Sequence, residues 1–174
     1  MSIRDSLPQQ IATKRLVLRA PVDADLGDLV ALLNNWSVVA NTAVIPFPYG
    51  ESDGREFLAT LSDASKPRAY AIAETDGRLM GVVSLKCEAG QPPELGYWLG
   101  EPYWGRGYAS EAATALVEAA QGVGVSDIRA RVLASNPASV RVLEKAGFIV
   151  VERPLSVVER HLGQPLLILR WSAR

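Results

Sequence analysis

The sequence predicts an α+β domain in which helices cover the faces of a sheet. Three observations carry that reading. Between residues 95 and 120 the hydrophobic period changes: Leu95, Tyr97 and Leu99 alternate as a strand does, whereas Ala109, Ala112, Ala113, Leu116, Val117 and Ala120 recur at helical spacing. From Tyr70 the period is two, and Thr75-Asp76-Gly77 sits between two such runs as a hairpin turn. The helix predicted over 108–121 is apolar on most sides, so it must lie between a sheet and its neighbours.

The remaining elements follow in order. Residues 1–12 are polar, contain Pro8 and read as an N-terminal arm. Leu16, Val17 and Leu18, between Arg15 and Arg19, predict the first strand. Asp23 and Asp25 prepare a helix start, with Leu26, Leu29, Val30 and Leu33 as its apolar face up to Asn34-Asn35. Over residues 36–50, Pro46 and Pro48 prevent the helix from continuing. A second short helix is predicted over 52–63, with Phe57, Leu58 and Leu61 inward. Strands follow at 70–73, 79–86 and 94–99. The apolar helix ends at Gly122 and Gly124, and residues 128–133 form the next strand. Asn136 and Pro137 fit the N-cap and first position of a helix that Gly147 closes. Residues 148–152 and 165–171 read as a final pair of strands. The sum is about seven strands and four helices, and no repeat or linker divides residues 1–174.

Composition narrows the function. With 174 residues the chain suits one domain with a substantial core. A formal net charge of −1 gives no broad basic surface, which argues against direct nucleic-acid binding. Cys87 is the only cysteine and His161 the only histidine, so no internal disulfide and no multi-cysteine metal site can form, and no metal is expected. No run approaches the ~18 apolar residues of a membrane span, and the first residues lack an apolar leader core. A cytoplasmic protein, monomer or homodimer, is the expectation.

The chemistry centres on residues 96–113. A strand that passes through a glycine loop into a helix leaves backbone N–H groups at the positive end of the helix dipole, which is an anion site. Gly105 and Gly107 let a phosphate approach the backbone closely. Gly100 and Gly105 have the spacing of a Walker loop, but Arg106 and Gly107 stand where Lys and a hydroxyl residue are needed. A dinucleotide fingerprint needs Gly or Ala where Ser110 stands, and an early βαβ unit. Trp104-Gly105-Arg106-Gly107-Tyr108-Ala109 resembles the acyl-CoA pyrophosphate loop of the GCN5-related N-acetyltransferase (GNAT) superfamily, Gln/Arg-x-x-Gly-x-Gly/Ala, with Trp104 departing at the Gln/Arg position. Asn136-Pro137-Ala138-Ser139 and the run from Leu143 to Phe148 resemble that superfamily's second signature. With residues 16–19 and 96–99 they resemble the branch of ribosomal-protein N-terminal (alanine/serine) acetyltransferases.

The resemblance implies a three-layer α/β/α fold around a mixed, mostly antiparallel sheet that splays between the 94–99 and 128–133 strands. It implies acetyl-CoA as co-substrate, its pantetheine pairing with backbone at Tyr97, Trp98 and Leu99 and its pyrophosphate on residues 104–109. It further implies transfer of acetyl to a primary amine, on a protein N-terminus or a small molecule, by direct attack in a ternary complex. A catalytically weak acyl-CoA sensor on the same fold is the alternative. Several residues keep two readings. Trp98 is a core ring or a wedge residue; Asn136 is a helix cap or a pantetheine ligand; Arg106 is solvated or on phosphate; Glu111 pairs with the helix dipole or makes a structural hydrogen bond. A tyrosine acid common in the superfamily falls at Leu143, and Ser139 matches the serine given that role in the ribosomal branch, or is a plain helix serine. Glu94, Glu152, Glu159 and His161 are all candidates for the base. Trp36, Phe47 and Tyr49 either wall the acceptor or pack the first helices.

Overall fold

The computed structural model describes residues 2–173, so Met1 and Arg174 of the expected 1–174 span lie outside it. Eight strands form one sheet: β1 (Gln10–Ala12), β2 (Leu16–Arg19), β3 (Arg68–Glu74), β4 (Leu79–Lys86), β5 (Glu94–Leu99), β6 (Asp127–Leu133), β7 (Ile149–Glu152) and β8 (Leu166–Ser172). Their order is β1-β2-β3-β4-β5-β6-β8-β7, antiparallel throughout except for β5 and β6. Six α-helices accompany them: α1 (Ile3–Ser6), α2 (Leu26–Leu33), α3 (Trp36–Val39), α4 (Glu51–Thr60), α5 (Tyr108–Gly122) and α6 (Pro137–Lys145). Among the described residues no helix is long and apolar enough to cross a membrane.

Alternation along the strands divides the core in two. Leu16, Leu18, Tyr70, Ile72, Leu95 and Leu99 face α5 and α6, joined by Ala112, Leu116, Ala120, Leu143 and Phe148. Ala71, Leu79 and Val82 face the other way, onto Leu29, Leu33, Val39 and Tyr49 of the α2–α4 layer. Three layers result, as the motifs imply.

The element count exceeds the sequence expectation by one strand and two helices. β1 lies inside the segment read as an arm and pairs Ile11 with Leu18. That segment is held: Arg4 is buried and donates to the Leu61 and Lys66 carbonyls, and the Tyr70 hydroxyl donates to the Pro8 carbonyl at 2.6 Å. The two additional helices, α1 and α3, are single turns with no period to read. Each is started by a side-chain cap, Ser2 accepting from the Asp5 N–H and Asn35 from the Ser37 N–H. The chain does leave α2 at Asn34, and α3 is a new turn rather than its continuation.

The feature that positions the site is the parting of β5 from β6. Their parallel ladder consists of one pair, Glu94 opposite Arg129, supported by the Arg129 N–H on the Pro93 carbonyl. Beyond it the strands diverge. β5 instead hugs β4, where a Cβ on Gly81 would stand 2.3 Å from the Trp98 carbonyl oxygen. That approach requires glycine at position 81.

Candidate active site

The loop leading from β5 to α5 has the conformation the anion reading needs. Gly105 and Gly107 both adopt positive φ, 73° and 80°, a region other residues avoid. Gly107 is the N-cap of α5 and carries no side chain to occupy the helix start. The first helical bond is Glu111 N–H to the Gly107 carbonyl, so the N–H groups of Tyr108, Ala109 and Ser110 have no acceptor within the helix. The space a Cβ would take at Gly105 is open.

A polar brace behind the loop holds it in place. Glu111, in the first turn of α5, accepts from the Thr13 hydroxyl (2.7 Å), the Arg15 N–H (2.9 Å) and Arg15 Nε (2.7 Å). Arg15 also donates from Nη1 to the Arg106 carbonyl at 2.8 Å and lies 4.6 Å above the Tyr108 ring. Burial works against the charged Glu111 carboxylate, but Thr13 and Arg15 outweigh it and leave its pKa below the usual value. The Tyr108 ring is buried and its hydroxyl donates to Glu74, so Tyr108 can offer an anion only its backbone N–H. The structural hydrogen-bond reading of Glu111 is therefore what the geometry shows.

Along β5 the pairing parity decides which backbone groups face the gap. The Gly100 N–H bonds to the Met80 carbonyl, and with Gly81 opposite Leu99 this turns Trp98 and Gly96 toward β4. Tyr97 and Leu99 then direct their N–H and C=O toward β6, which has already diverged. The Leu99 carbonyl is taken by Trp104 Nε1 at 2.7 Å, which pins the loop to the strand end. The Trp98 ring belongs to the α2–α4 layer of the core, as the packing reading has it.

Across the gap, α6 begins with Asn136, whose Oδ1 accepts from the Ser139 N–H at 3.3 Å. The capping reading of Asn136 thus holds geometrically, and its amide nitrogen has no partner among the described residues. The Ser139 hydroxyl lies 2.7 Å from the Tyr97 hydroxyl, so a side-chain contact joins the first turn of α6 to β5. Leu143 is buried in the core and contributes no polar group.

The candidate bases separate by location. Glu94 accepts both Nε and Nη2 of Arg131 (3.1 and 2.9 Å), at the point where β5 and β6 still pair; it is committed to the closed end of the wedge. His161 is buried, with Nε2 2.6 Å from the Ala40 carbonyl, and is structural. Glu152 is exposed on β7, at the edge of the sheet. Glu159 opens the turn Glu159–His161 and is exposed, and its carboxylate has no hydrogen bond or ion pair among the described residues.

That turn straps down the 36–50 loop. Arg160 donates to the carbonyls of Val39 (3.2 Å), Thr42 (2.9 Å) and Ile45 (2.6 Å), and lies 5.7 Å over the Trp36 ring. Trp36 and Phe47 remain exposed, 52% and 42%, with ring centroids 5.3 Å apart. Tyr49 differs from them. It is 5% exposed in the core cluster of α2 and α4, with its pKa pushed up to about 12, first by burial and then by Asp53 and Glu56. An aromatic wall on this side consists of Trp36 and Phe47, and Tyr49 packs.

Sequence reasoning missed Arg15, Arg160 and the Tyr97 hydroxyl. Arg15 and Arg160 act on carbonyls remote in sequence, which no local pattern reveals. Asn136-Pro137 was a usable signal for Ser139, but not for the phenol that meets it.

Comparison with known proteins agrees with this architecture. The family model for the acetyltransferase (GNAT) domain matches residues 15–149. The uncharacterized N-acetyltransferase p20 of Bacillus licheniformis is 28% identical over 151 residues, 80% of this chain and 82% of its own. The microcin C7 self immunity acetyltransferase MccE, solved in complex with acetyl-CoA and AMP, superposes with a TM-score of 0.82 at 19% identity, covering 97% of this chain and 99% of its own. The ribosomal L7/L12 alpha-N-protein acetyltransferase RimL, in complex with CoA, gives a TM-score of 0.80 at 19% identity over 94% of this chain and 97% of its own. With three quarters of its length matched by that family model and a sheet that parts beneath a glycine-capped helix, the chain belongs to the GNAT acetyltransferase family and is an acetyltransferase.

Proposed function

We propose that the chain works as one acetyltransferase domain that transfers acetyl from acetyl-CoA to a primary amine, on a protein N-terminus or a small molecule, by direct attack in a ternary complex. The observation that carries this reading is the divergence of β5 and β6 directly before the α5 N-terminus. It joins a row of open strand-edge groups to an anion site, and a molecule with an amide-bearing arm and a pyrophosphate fits both. Acetyl-CoA supplies the activated acetyl group as a thioester. The backbone N–H and C=O of Tyr97 hold its pantetheine as it runs on toward Leu99, helped by the Asn136 amide, and residues 105–109 with the Arg106 side chain hold its pyrophosphate.

The protein's own groups have modest tasks. An α-amine has a pKa of ~8 and a lysine amine ~10.4, so the acceptor must give up a proton before it attacks. Glu159 is exposed beside the strapped acceptor loop and takes that proton through solvent. The Leu99 N–H, aimed into the gap, steadies the oxygen of the reacting carbonyl. Ser139 donates a hydrogen bond to the departing sulfur, whose pKa of ~8.5, by comparison with cysteine, demands little help. Most of the rate enhancement then comes from positioning. Trp36 and Phe47, fixed from behind by Arg160, form a rigid apolar wall against which the acceptor loses little entropy of the protein.

The test is release of free CoA from acetyl-CoA in the presence of N-terminal peptides, polyamines and aminoglycosides. Amine-dependent release with at least one acceptor is the expected result. Tight acetyl-CoA binding with no release for any amine would overturn the acceptor assignment.

A further inference from the structure

The hydroxyl of Tyr97 has a task that core packing does not explain. Its ring leaves β5 on the α5–α6 face and brings the phenol to 2.7 Å from Ser139 Oγ, in the first turn of α6. The two residues come from opposite sides of the wedge, at the place where the departing sulfur must lie if the pantetheine runs along Tyr97 and Leu99. We propose that Tyr97 is the positioning residue for Ser139: its O–H donates to Ser139 Oγ and so turns the serine's own hydrogen away from the phenol and into the wedge. The inference rests on the reading that Ser139 serves the departing sulfur.

Of the two hydroxyls the phenol is the more acidic and so the stronger donor, which is the direction proposed. Burial raises the Tyr97 pKa, and the Ser139 contact offsets only part of that rise, so the phenol stays protonated and remains a donor across the neutral range. A hydroxyl that accepts a hydrogen bond becomes a better donor itself, so Ser139 O–H is strengthened as well as aimed. A serine hydroxyl with a free rotor would otherwise turn to any nearby acceptor. In the reaction the amine nitrogen bonds to the acetyl carbon and the C–S bond breaks with its electron pair on sulfur. Ser139 stabilises that thiolate through its hydrogen, and the proton lost by the amine leaves through Glu159 to solvent. No proton need leave Tyr97. Leu143 of α6 is buried in the core, and the phenol that meets Ser139 comes from β5.

The test combines Tyr97→Phe, Ser139→Ala and the double variant, with melting temperature measured beside kinetics and acetyl-CoA affinity by calorimetry. Tyr97→Phe keeps the ring and removes only the hydroxyl. Expected is a kcat loss of about two- to tenfold, the scale of one net hydrogen bond, with acetyl-CoA affinity unchanged. In the double variant no further loss beyond Ser139→Ala is expected, because Tyr97 acts only through Ser139. An additive loss in the double variant, or a Tyr97→Phe protein with parental kcat beside an impaired Ser139→Ala protein, would overturn the positioning role and leave the serine's role standing. Parental kcat in Ser139→Ala would remove the serine's role itself. A readout without acetyl-CoA comes from the Tyr97 ¹³Cζ resonance, identified by its absence in Tyr97→Phe. Its titration midpoint should move upward in Ser139→Ala, and an unmoved midpoint would mean the two hydroxyls do not meet in solution.

Discussion

Replacing Gly107 by Glu changes the backbone and the charge of the loop together, and the structure separates the two. At φ 80° a residue with a Cβ is strained by about 1–2 kcal/mol. For a domain of this size that strain lowers the melting temperature by about 2–8 °C. The new Cβ would stand 3.3 Å from Arg15 Nη2, a flexible side-chain end that can give way. The carboxylate, however, adds a negative charge at the N-cap of α5, next to the Tyr108, Ala109 and Ser110 N–H groups. Against a phosphate charge about 5 Å away, at effective dielectric constants of about 20–80, it contributes about 1–3 kcal/mol of repulsion. CoA affinity should therefore fall about 5- to 150-fold. Gly107→Ala carries the same backbone strain without the charge and should lose much less. Calorimetric titration of CoA into the parent, Gly107→Ala and Gly107→Glu, at low and high salt, reads this directly. The Ala–Glu difference should shrink as salt rises. A folded Gly107→Glu protein with parental CoA affinity, or equal losses in both variants, would refute the reasoning.

Other perturbations address the supports of the site. Arg160→Met removes the donors to the Val39, Thr42 and Ile45 carbonyls, so steady-state kinetics should show the acceptor KM rising while the acetyl-CoA KM holds; equal changes in both would contradict the strap. Glu111 has a lowered pKa in the folded state, so the stability it contributes is present above the ordinary value of 4.5 and is lost as pH falls through the lowered one. Melting curves from pH 6 to 3 should show Glu111→Gln less stable than the parent at pH 6 and the gap closing with acid, and a pH-independent gap would exclude the carboxylate as the brace. Gly81→Ala drives a Cβ into the Trp98 carbonyl, and overpacking of this kind costs about 1–3 kcal/mol. Its melting temperature should drop by several degrees, and an unchanged value would show that β4 and β5 do not approach so closely.

What the sequence made legible is what depends on near neighbours in the chain. The change of period after Leu99, the glycines at 105 and 107, and Asn136-Pro137 before α6 each write a local conformation, and each is found where the pattern places it. The single-turn helices α1 and α3 were not legible, because four residues are too few for a helical period. Strand β1 was equally silent: three residues on a sheet edge bury too little for alternation to show. The site's supporting contacts are long-range. Arg15 to Glu111, Arg160 to Thr42 and Tyr97 to Ser139 each join segments dozens of residues apart, and no spacing rule connects them. Tyr49 shows the opposite case. Its aromatic, proline-fixed neighbourhood reads as one wall, yet Phe47 stays exposed while Tyr49, two residues on, turns into the core beside α4.

The central claim is direct transfer between two substrates held in the same wedge, and initial velocities with acetyl-CoA and amine varied together test it most directly. The account predicts intersecting double-reciprocal lines and no CoA release without amine, because the only cysteine, Cys87, lies partly buried at the end of β4 with its pKa raised by that burial and carries no acetyl group in the reaction. Parallel lines, with a burst of CoA released before any amine is added, would contradict it.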